Sequence, residues 1–187
     1  GGAVIVWERR LTTGPWLRGQ RFRADGERVG PDFLVAGPTA FQGSADVASQ
    51  PDGGFVVAWT APGTADDADV RARRFAANGS PLAPSFLVHT QSTGDQSHPD
   101  LVVEPDGSFV VTWQGDASPG MPDQEIFVRR FASDATPLGA EMRVNSFPTG
   151  QQRSPSVALS AIDELTVVWD SDTSAGTDTW STSVQGR

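Results

Sequence analysis

The chain has 187 residues, of which 37% are hydrophobic and 20% charged, so it is too apolar for a disordered segment and long enough for one domain with a core. Its 14 basic and 23 acidic residues give a net charge of -9, which argues against nucleic-acid binding, because that function needs a basic surface. The absence of cysteine excludes disulfide scaffolds, thiolate zinc sites and cysteine nucleophiles, and the apolar runs are too short to span a bilayer.

The dominant feature of the sequence is an internal repeat. A β-branched segment that ends in tryptophan occurs four times, at Trp7, Trp59, Trp113 and Trp169. A second segment that ends in Arg-Phe follows the first three of these tryptophans. Its phenylalanines are Phe22, Phe75 and Phe131. Self-similarity of this kind indicates a repeat architecture. We divide the chain into one repeat domain, 1–187, with units of approximately 1–44, 45–97, 98–153 and 154–187.

Each unit predicts four short strands. In the second unit, the first strand ends at the tight turn 51–53 and the second is the buried segment 55–59. The third strand, 70–75, alternates between apolar and polar residues, and the fourth is the short segment 86–88. No stretch has convincing helical periodicity.

Four antiparallel strands in a unit of about fifty residues are typical of a β-propeller blade. The sequence therefore predicts an all-β fold, a β-propeller of four-stranded antiparallel blades with about three and a half repeats. The expected strands number three, four, four and three in chain order. A β-sandwich is the alternative. The repeats could belong to a longer propeller, which we favour, to a small ring with an incomplete blade, or to a ring that another chain completes.

Repetition also separates structural residues from candidate functional ones. The four recurring tryptophans are best explained by packing between blades, with sugar stacking as the alternative. From each of them to the next recurring Phe, or to Val184 in the last unit, the spacings are 15, 16, 18 and 15 residues. Length variation is therefore concentrated in one loop per unit, and these loops lie on one face, where we expect function.

These variable loops are acidic, and carboxylates on flexible backbone suit calcium, although no complete calcium-binding motif is present. The alternative is that short polar residues simply make well-solvated loops. The candidate calcium ligands are Asp66, Asp67, Asp69, Asp116, Asp123, Glu125, Asp170, Asp172 and Asp178.

Two further tryptophans, Trp16 and Trp180, lie outside the recurring position, in or near the variable face. They are the candidate residues for contact with a glycan or a protein, and anchoring of a loop is the alternative. The two histidines, His89 and His98, have no triad or metal-site spacing, and we interpret them as loop residues. No pair of carboxylates is singled out for glycoside hydrolysis, so we identify no catalytic residues.

The segments 51–59 and 70–82, with the link 93–99, resemble a repeat of large secreted bacterial surface proteins. That family has a DGGFVVVW strand followed by a hairpin similar to AQRFDADGTPLG. The resemblance covers nearly the whole chain and implies an extracellular, cell-surface or periplasmic protein. It also implies neighbouring cadherin-like or haemolysin-type calcium-binding modules, although the loops here lack the usual S-x-x-Q-D-G-S-G wording of the family.

Our main hypothesis is a non-enzymatic scaffold or interaction module that presents a loop-rich acidic face to a protein or a glycan. One alternative is a subunit that completes a propeller, or covers its open edge, within a larger chain or assembly. The other is a carbohydrate-active enzyme on a propeller scaffold. The fold alone does not decide among them.

Overall fold

The computed structural model describes residues 2–38, 40, 43–64, 67–91, 94–116, 123–146, 150–160 and 164–172, and the backbone of 183–186. This part of the chain contains fourteen strands: β1 (Ala3–Leu11), β2 (Gly14–Phe22), β3 (Arg28–Ala36), β4 (Gly43–Ser49), β5 (Phe55–Pro62), β6 (Ala68–Phe75), β7 (Phe86–Leu87), β8 (Gln96–Val103), β9 (Phe109–Asp116), β10 (Gln124–Phe131), β11 (Met142–Arg143), β12 (Gln152–Leu159), β13 (Leu165–Ser171) and β14 (Ser183–Gly186). No helix of the described residues is long and apolar enough to cross a membrane.

The strands form four antiparallel sheets in chain order, β1-β2-β3, β4-β5-β6-β7, β8-β9-β10-β11 and β12-β13-β14, which we call blades 1 to 4. The predicted series of three, four, four and three strands is confirmed. Neighbours in sequence are neighbours in each sheet, because short hairpins favour pairing of consecutive strands. Strand β8 contacts both β4 and β12, so the first strands of blades 2, 3 and 4 surround a common axis.

Each inner blade has two apolar faces, since successive side chains of a strand point to opposite sides. The front face of blade 2, with Phe55, Val57 and Trp59, packs in one cluster with Leu17 and Val35 of blade 1. Its back face packs in a second cluster with blade 3, whose Trp113 is fully buried. The core is therefore a series of interfaces between blades, as predicted for Trp59, Trp113 and Trp169. The prediction is wrong for Trp7, which is exposed because no blade among the described residues packs against it.

Buried tryptophan side chains also need a partner for the indole N–H. In blades 3 and 4 the indoles of Trp113 and Trp169 donate to the side-chain oxygens of Gln96 and Gln152, at 2.8 and 2.9 Å. In blade 2 the indole of Trp59 donates to the backbone oxygen of Ala40. The recurring tryptophan thus ties the second strand of a blade to the start of its first strand or to the preceding link.

The register of blade 4 corrects one alignment made from the sequence. Val184 pairs with Asp170, as Val70 pairs with Thr60 in blade 2. It therefore corresponds to Val70, and not to the Phe that ends the third strand. The segment between β13 and β14 is longer than the spacing suggested. The hairpins on this face therefore differ in length by more than the spacings in the sequence predicted.

Candidate functional site

The first strands of blades 2, 3 and 4 line an open pocket of about 330 Å³ at the axis. It is lined by three equivalent tripeptides, 44–46, 98–100 and 154–156, near the start of each strand. These starts lie at the same end of the blades as the variable loops, because β5 and β9 run antiparallel to their first strands and end there. We call this cavity the axial pocket.

Each tripeptide sits at a β-bulge whose first residue has a positive φ. The φ angles are 33° at Ser44, 53° at His98 and 51° at Ser154. This left-handed conformation is unfavourable for a residue with a side chain and persists only where the surroundings enforce it. Its recurrence at three equivalent positions marks the axial pocket as a built feature of the blades.

The preceding blade fixes two of these bulges through a side chain placed directly after its recurring tryptophan. The Thr60 hydroxyl accepts the His98 N–H at 3.2 Å, and the Gln114 amide oxygen accepts the Ser154 N–H at 2.8 Å. Bulges re-aim the side chains next to them. The backbone of the pocket wall is therefore held by contacts between blades.

Two carboxyl groups connect the walls of the pocket. The Asp46 carboxylate accepts the backbone N–H of Leu101 at 2.9 Å, and the Asp100 carboxylate accepts that of Val157 at 2.6 Å. Asp100 also accepts the hydroxyl of Ser156 at 3.0 Å. In each case the third residue of one tripeptide bonds the next blade, so these carboxyl groups hold the first strands together.

The two carboxyl groups also contact each other. Burial, together with a hydrogen bond to the Asp100 side chain and the charge of that group, raises the pKa of Asp46 to about 6. Two ionised carboxylates at such close range repel, so Asp46 holds its proton to a higher pH than an isolated aspartate does. The axial pocket therefore presents a carboxyl group that gains or loses its proton in the mildly acidic range, flanked by an imidazole and by serine hydroxyls.

Among the predicted calcium ligands, the structure brings Asp67 and Asp116 together around Asp95 in the link between blades 2 and 3. The carboxylate of Asp67 accepts the N–H of Gly94 at 3.1 Å, and that of Asp116 accepts the N–H of Asp95 at 3.0 Å. Asp95 in turn accepts the N–H of Ala68 at 2.9 Å. Desolvation, with the charges of Asp95 and Asp67, raises the pKa of Asp116. These acidic residues connect the β5–β6 hairpin and the end of β9 to the link between blades 2 and 3 through hydrogen bonds.

Two other predicted ligands belong to strands and not to loops. Asp69 lies in β6, with a carboxylate oxygen 3.4 Å from Nε2 of the buried His89. Glu125 lies in β10, is only 2% exposed, and accepts a hydrogen bond from the Asn145 amide. Their strands begin earlier than the sequence suggested because hairpin pairing continues past the apolar segment.

The remaining predicted ligands are dispersed. Asp123 accepts the Gln151 amide at 3.4 Å, Asp172 lies 3.5 Å from the Arg153 guanidinium, and Asp170 is exposed on β13. Asp66 and Asp178 lie outside the described residues. Within the described ranges, no three His, Asp or Glu side chains are grouped so as to hold a metal ion. The calcium site stays a prediction.

The two candidate contact tryptophans have different outcomes. Trp16 is half-buried in β2, where it pairs with Arg9 and its indole donates to the Thr13 hydroxyl at 3.3 Å. The hairpin of the first unit is therefore nearly all strand, with only Thr12 and Thr13 between β1 and β2. Trp180 lies outside the described residues.

Sequence reasoning missed the axial pocket, although a signal was present. His98 occurs in one unit only, where the equivalent residues are Ser44 and Ser154, so it meets the criterion of a unit-specific residue. It was interpreted as a loop residue, whereas it lies in β8 and lines the pocket. Asp46 and Asp100 recur, and recurrence alone indicated a structural role.

No family model matches the sequence, and no curated protein matches it. Solved structures do match the fold. The structure of Penicillium chrysogenum α-L-arabinanase complexed with arabinobiose aligns with a TM-score of 0.70 at 13% identity, covering 100% of this chain and 59% of that one. An α-L-arabinofuranosidase from Fusarium graminearum in complex with an iminosugar inhibitor aligns with a TM-score of 0.67 at 9% identity, covering 100% and 58%.

A thermostable family-43 glycoside hydrolase aligns with a TM-score of 0.56 at 14% identity, covering 99% of this chain and 67% of that one. The chain is a partial β-propeller. It spans about three fifths to two thirds of the length of these structures. These structural neighbours are carbohydrate-active enzymes on propeller scaffolds. At this level of identity the similarity establishes the fold alone.

Proposed function

We propose that this protein binds carbohydrate in the axial pocket. The observation that supports the proposal is the convergence of three strained tripeptides on one cavity, where they place hydroxyl, imidazole and carboxyl groups beside two proline rings. Small-ligand sites combine apolar walls with a few fixed polar groups, and sugars offer hydroxyls for such groups together with apolar C–H faces. The similarity to carbohydrate-active propellers supports the same ligand class. We place this function outside the cytoplasm, as the resemblance of the repeat implies.

A hydrolytic activity is the second candidate, and one observation favours it. A carboxyl group whose pKa is about 6, as at Asp46, can serve as a general acid near neutral pH. Glycoside hydrolysis needs a second carboxylate about 5–5.5 Å away for retention or about 6.5–9.5 Å away for inversion. Asp100 interacts with Asp46 and already accepts hydrogen bonds from Val157 and Ser156, so it is not free to serve as this second carboxylate. No other acidic residue among the described ones lines the pocket. We therefore propose binding without turnover.

Calorimetric titration with arabinobiose and with xylobiose tests the binding proposal. We expect His98→Ala to weaken sugar binding by up to about tenfold, because one good hydrogen bond contributes up to about 1.4 kcal/mol. Leu138→Ala is the matched control, since that side chain is exposed on the hairpin at the opposite end of blade 3. Equal affinity of the His98 variant and the wild type would contradict the assignment of the pocket.

Turnover is measured separately with a chromogenic arabinofuranoside between pH 5 and 7. We expect no hydrolysis above the spontaneous rate measured in buffer without protein. If the protein hydrolyses this substrate and Asp46→Asn abolishes the activity, the protein is a glycoside hydrolase and not a binding protein.

A further inference from the structure

Blade 1 has an apolar front face that nothing in the described part of the chain covers. Ile5 and Trp7 project from alternate positions of β1 and are 53% and 37% exposed. Together with Phe22, Gln20 and Arg28 they line a groove of about 520 Å³, which we call the front groove. Aromatic surface that is open to this extent marks an interaction site in a folded protein.

The repeat shows what kind of surface belongs on this groove. Trp7 is equivalent to Trp59 and Trp113, which are 1% and 0% exposed because a preceding blade packs against them. The covering surface is the back face of that blade, which carries small residues such as Val56 and Ala58. A Trp-bearing front face and a small-residue back face are therefore complementary throughout the molecule.

Blade 4 has the opposite open surface. Thr166 and Val168 of its back face are exposed, at the positions that Val56 and Ala58 occupy in blade 2. Asp170 is also exposed, at the position of Thr60, whose side chain accepts an N–H from the first strand of the next blade. Blade 4 thus has both the apolar side chains and a hydrogen-bond acceptor that could contact a following blade.

We propose that the front groove and the back face of blade 4 bind one further antiparallel blade of this same repeat. Its small back residues cover Trp7 and Ile5, and its front face, with Phe and Trp, covers Val168. The structural neighbours are five-bladed propellers, and blades 1 to 4 fill four of five positions, so one blade fits the space and a second whole copy of this chain does not. This inference is independent of the carbohydrate proposal.

Two fusions to the full chain test the proposal from opposite sides. In the first, a duplicate of residues 43–106 precedes Gly1. The sequence then enters β1 in register, since Gly1 and Gly2 occupy the positions of Gly53 and Gly54. In the second, a duplicate of residues 74–146 follows Arg187, because Gly186 pairs with Val168 as Ala72 pairs with Ala58. Each fusion supplies one complete blade, together with an adjoining strand for blade 1 or blade 4.

We expect each fusion to raise the melting temperature by about 10 °C, because burial of large apolar side chains stabilises a domain of this size by several degrees each. Acrylamide quenching of Trp7 fluorescence, obtained by subtracting the signal of a Trp7→Phe variant, should fall several-fold. Trp7→Asp should cancel the gain, so that each fusion with this change melts no higher than the unfused chain with the same change. Leu82→Asp, on the exposed hairpin of blade 2, should leave the gain intact.

Each alternative outcome overturns the proposal. If both fusions are folded by circular dichroism and Trp7 remains as accessible as in the unfused chain, the groove does not accept a blade. If the unfused chain self-associates in sedimentation equilibrium with Trp7 protected, the occupant is a second copy. If the second fusion gains stability and the first does not, blade 4 accepts a blade but the front groove does not.

Discussion

Acidic side chains have different partners at the axis of the propeller and in its hairpin loops. At the axis, Asp46 and Asp100 accept backbone N–H groups of neighbouring first strands and contact each other. In the loops, Asp67 and Asp95 accept N–H groups from each other's segment at the rim of blades 2 and 3. The same chemistry thus joins strands at the axis and loops at the rim, and the carboxylate bonds to backbone N–H groups are part-buried in both places. At the axis Asp100 accepts two hydrogen bonds and the two carboxyl groups interact with each other, so we expect the larger effect on stability there.

The largest effect is expected from Asp100→Ala at the axis. The change leaves the part-buried N–H of Val157 without its acceptor, which costs about 1–3 kcal/mol, whereas the exposed hydroxyl of Ser156 can turn to water. We expect the free energy of unfolding to fall by about 2 kcal/mol in urea denaturation. Asp25→Ala is the control, since its carboxylate accepts one N–H in an exposed turn and its loss should cost under about 1 kcal/mol. Equal losses would erase the contrast between axis and surface.

The next effect is a pH dependence at Asp46. Its pKa is raised from 3.8 to about 6 in the folded protein, so the folded state binds the proton more tightly than the unfolded state does. The associated stability is fully present below pH 4 and is lost as the pH rises through 6. Asp46→Asn keeps an acceptor for the N–H of Leu101 and removes the ionisation.

We therefore expect Asp46→Asn to gain about 1–2 kcal/mol relative to the wild type between pH 4 and pH 7.5, a range that allows for solvent screening at the open side of the pocket. Urea denaturation of both proteins at the two pH values measures the difference. A difference that is the same at both pH values would show that Asp46 ionises as it does in the unfolded chain.

The smallest effect is expected in the loops. Asp67→Ala removes the acceptor of the Gly94 N–H at a half-exposed position, and we expect a loss of about 0.5–1 kcal/mol. The same variant tests the calcium prediction. If calcium occupies the loops, millimolar calcium should raise the melting temperature above that in magnesium at equal ionic strength, and Asp67→Ala should reduce this rise. An identical melting temperature in the two salts would contradict the prediction that these loops bind calcium.

The pocket was harder to predict than the blades because its parts are distant in sequence. Asp46 and Asp100 are one repeat apart, and only the angle between blades brings their carboxyl groups into contact. The sequence does not predict the positive φ at His98, because Gly and Asn are the residues that usually mark this conformation. Glu125 shows the converse error, because its acidic neighbours indicated a loop whereas strand pairing buried it against Asn145.

The sequence by itself determined the all-β class, the number of strands in each sheet and the burial of Trp59, Trp113 and Trp169. These features follow from periodicity and turn residues, which act over a few neighbouring positions and are copied in every unit. Only the tertiary structure decided that Trp7 is exposed while its equivalents are buried, and that acidic residues of different units meet and raise the pKa of Asp46. Both outcomes depend on which blade stands beside which, and that arrangement is absent from any local pattern in the chain.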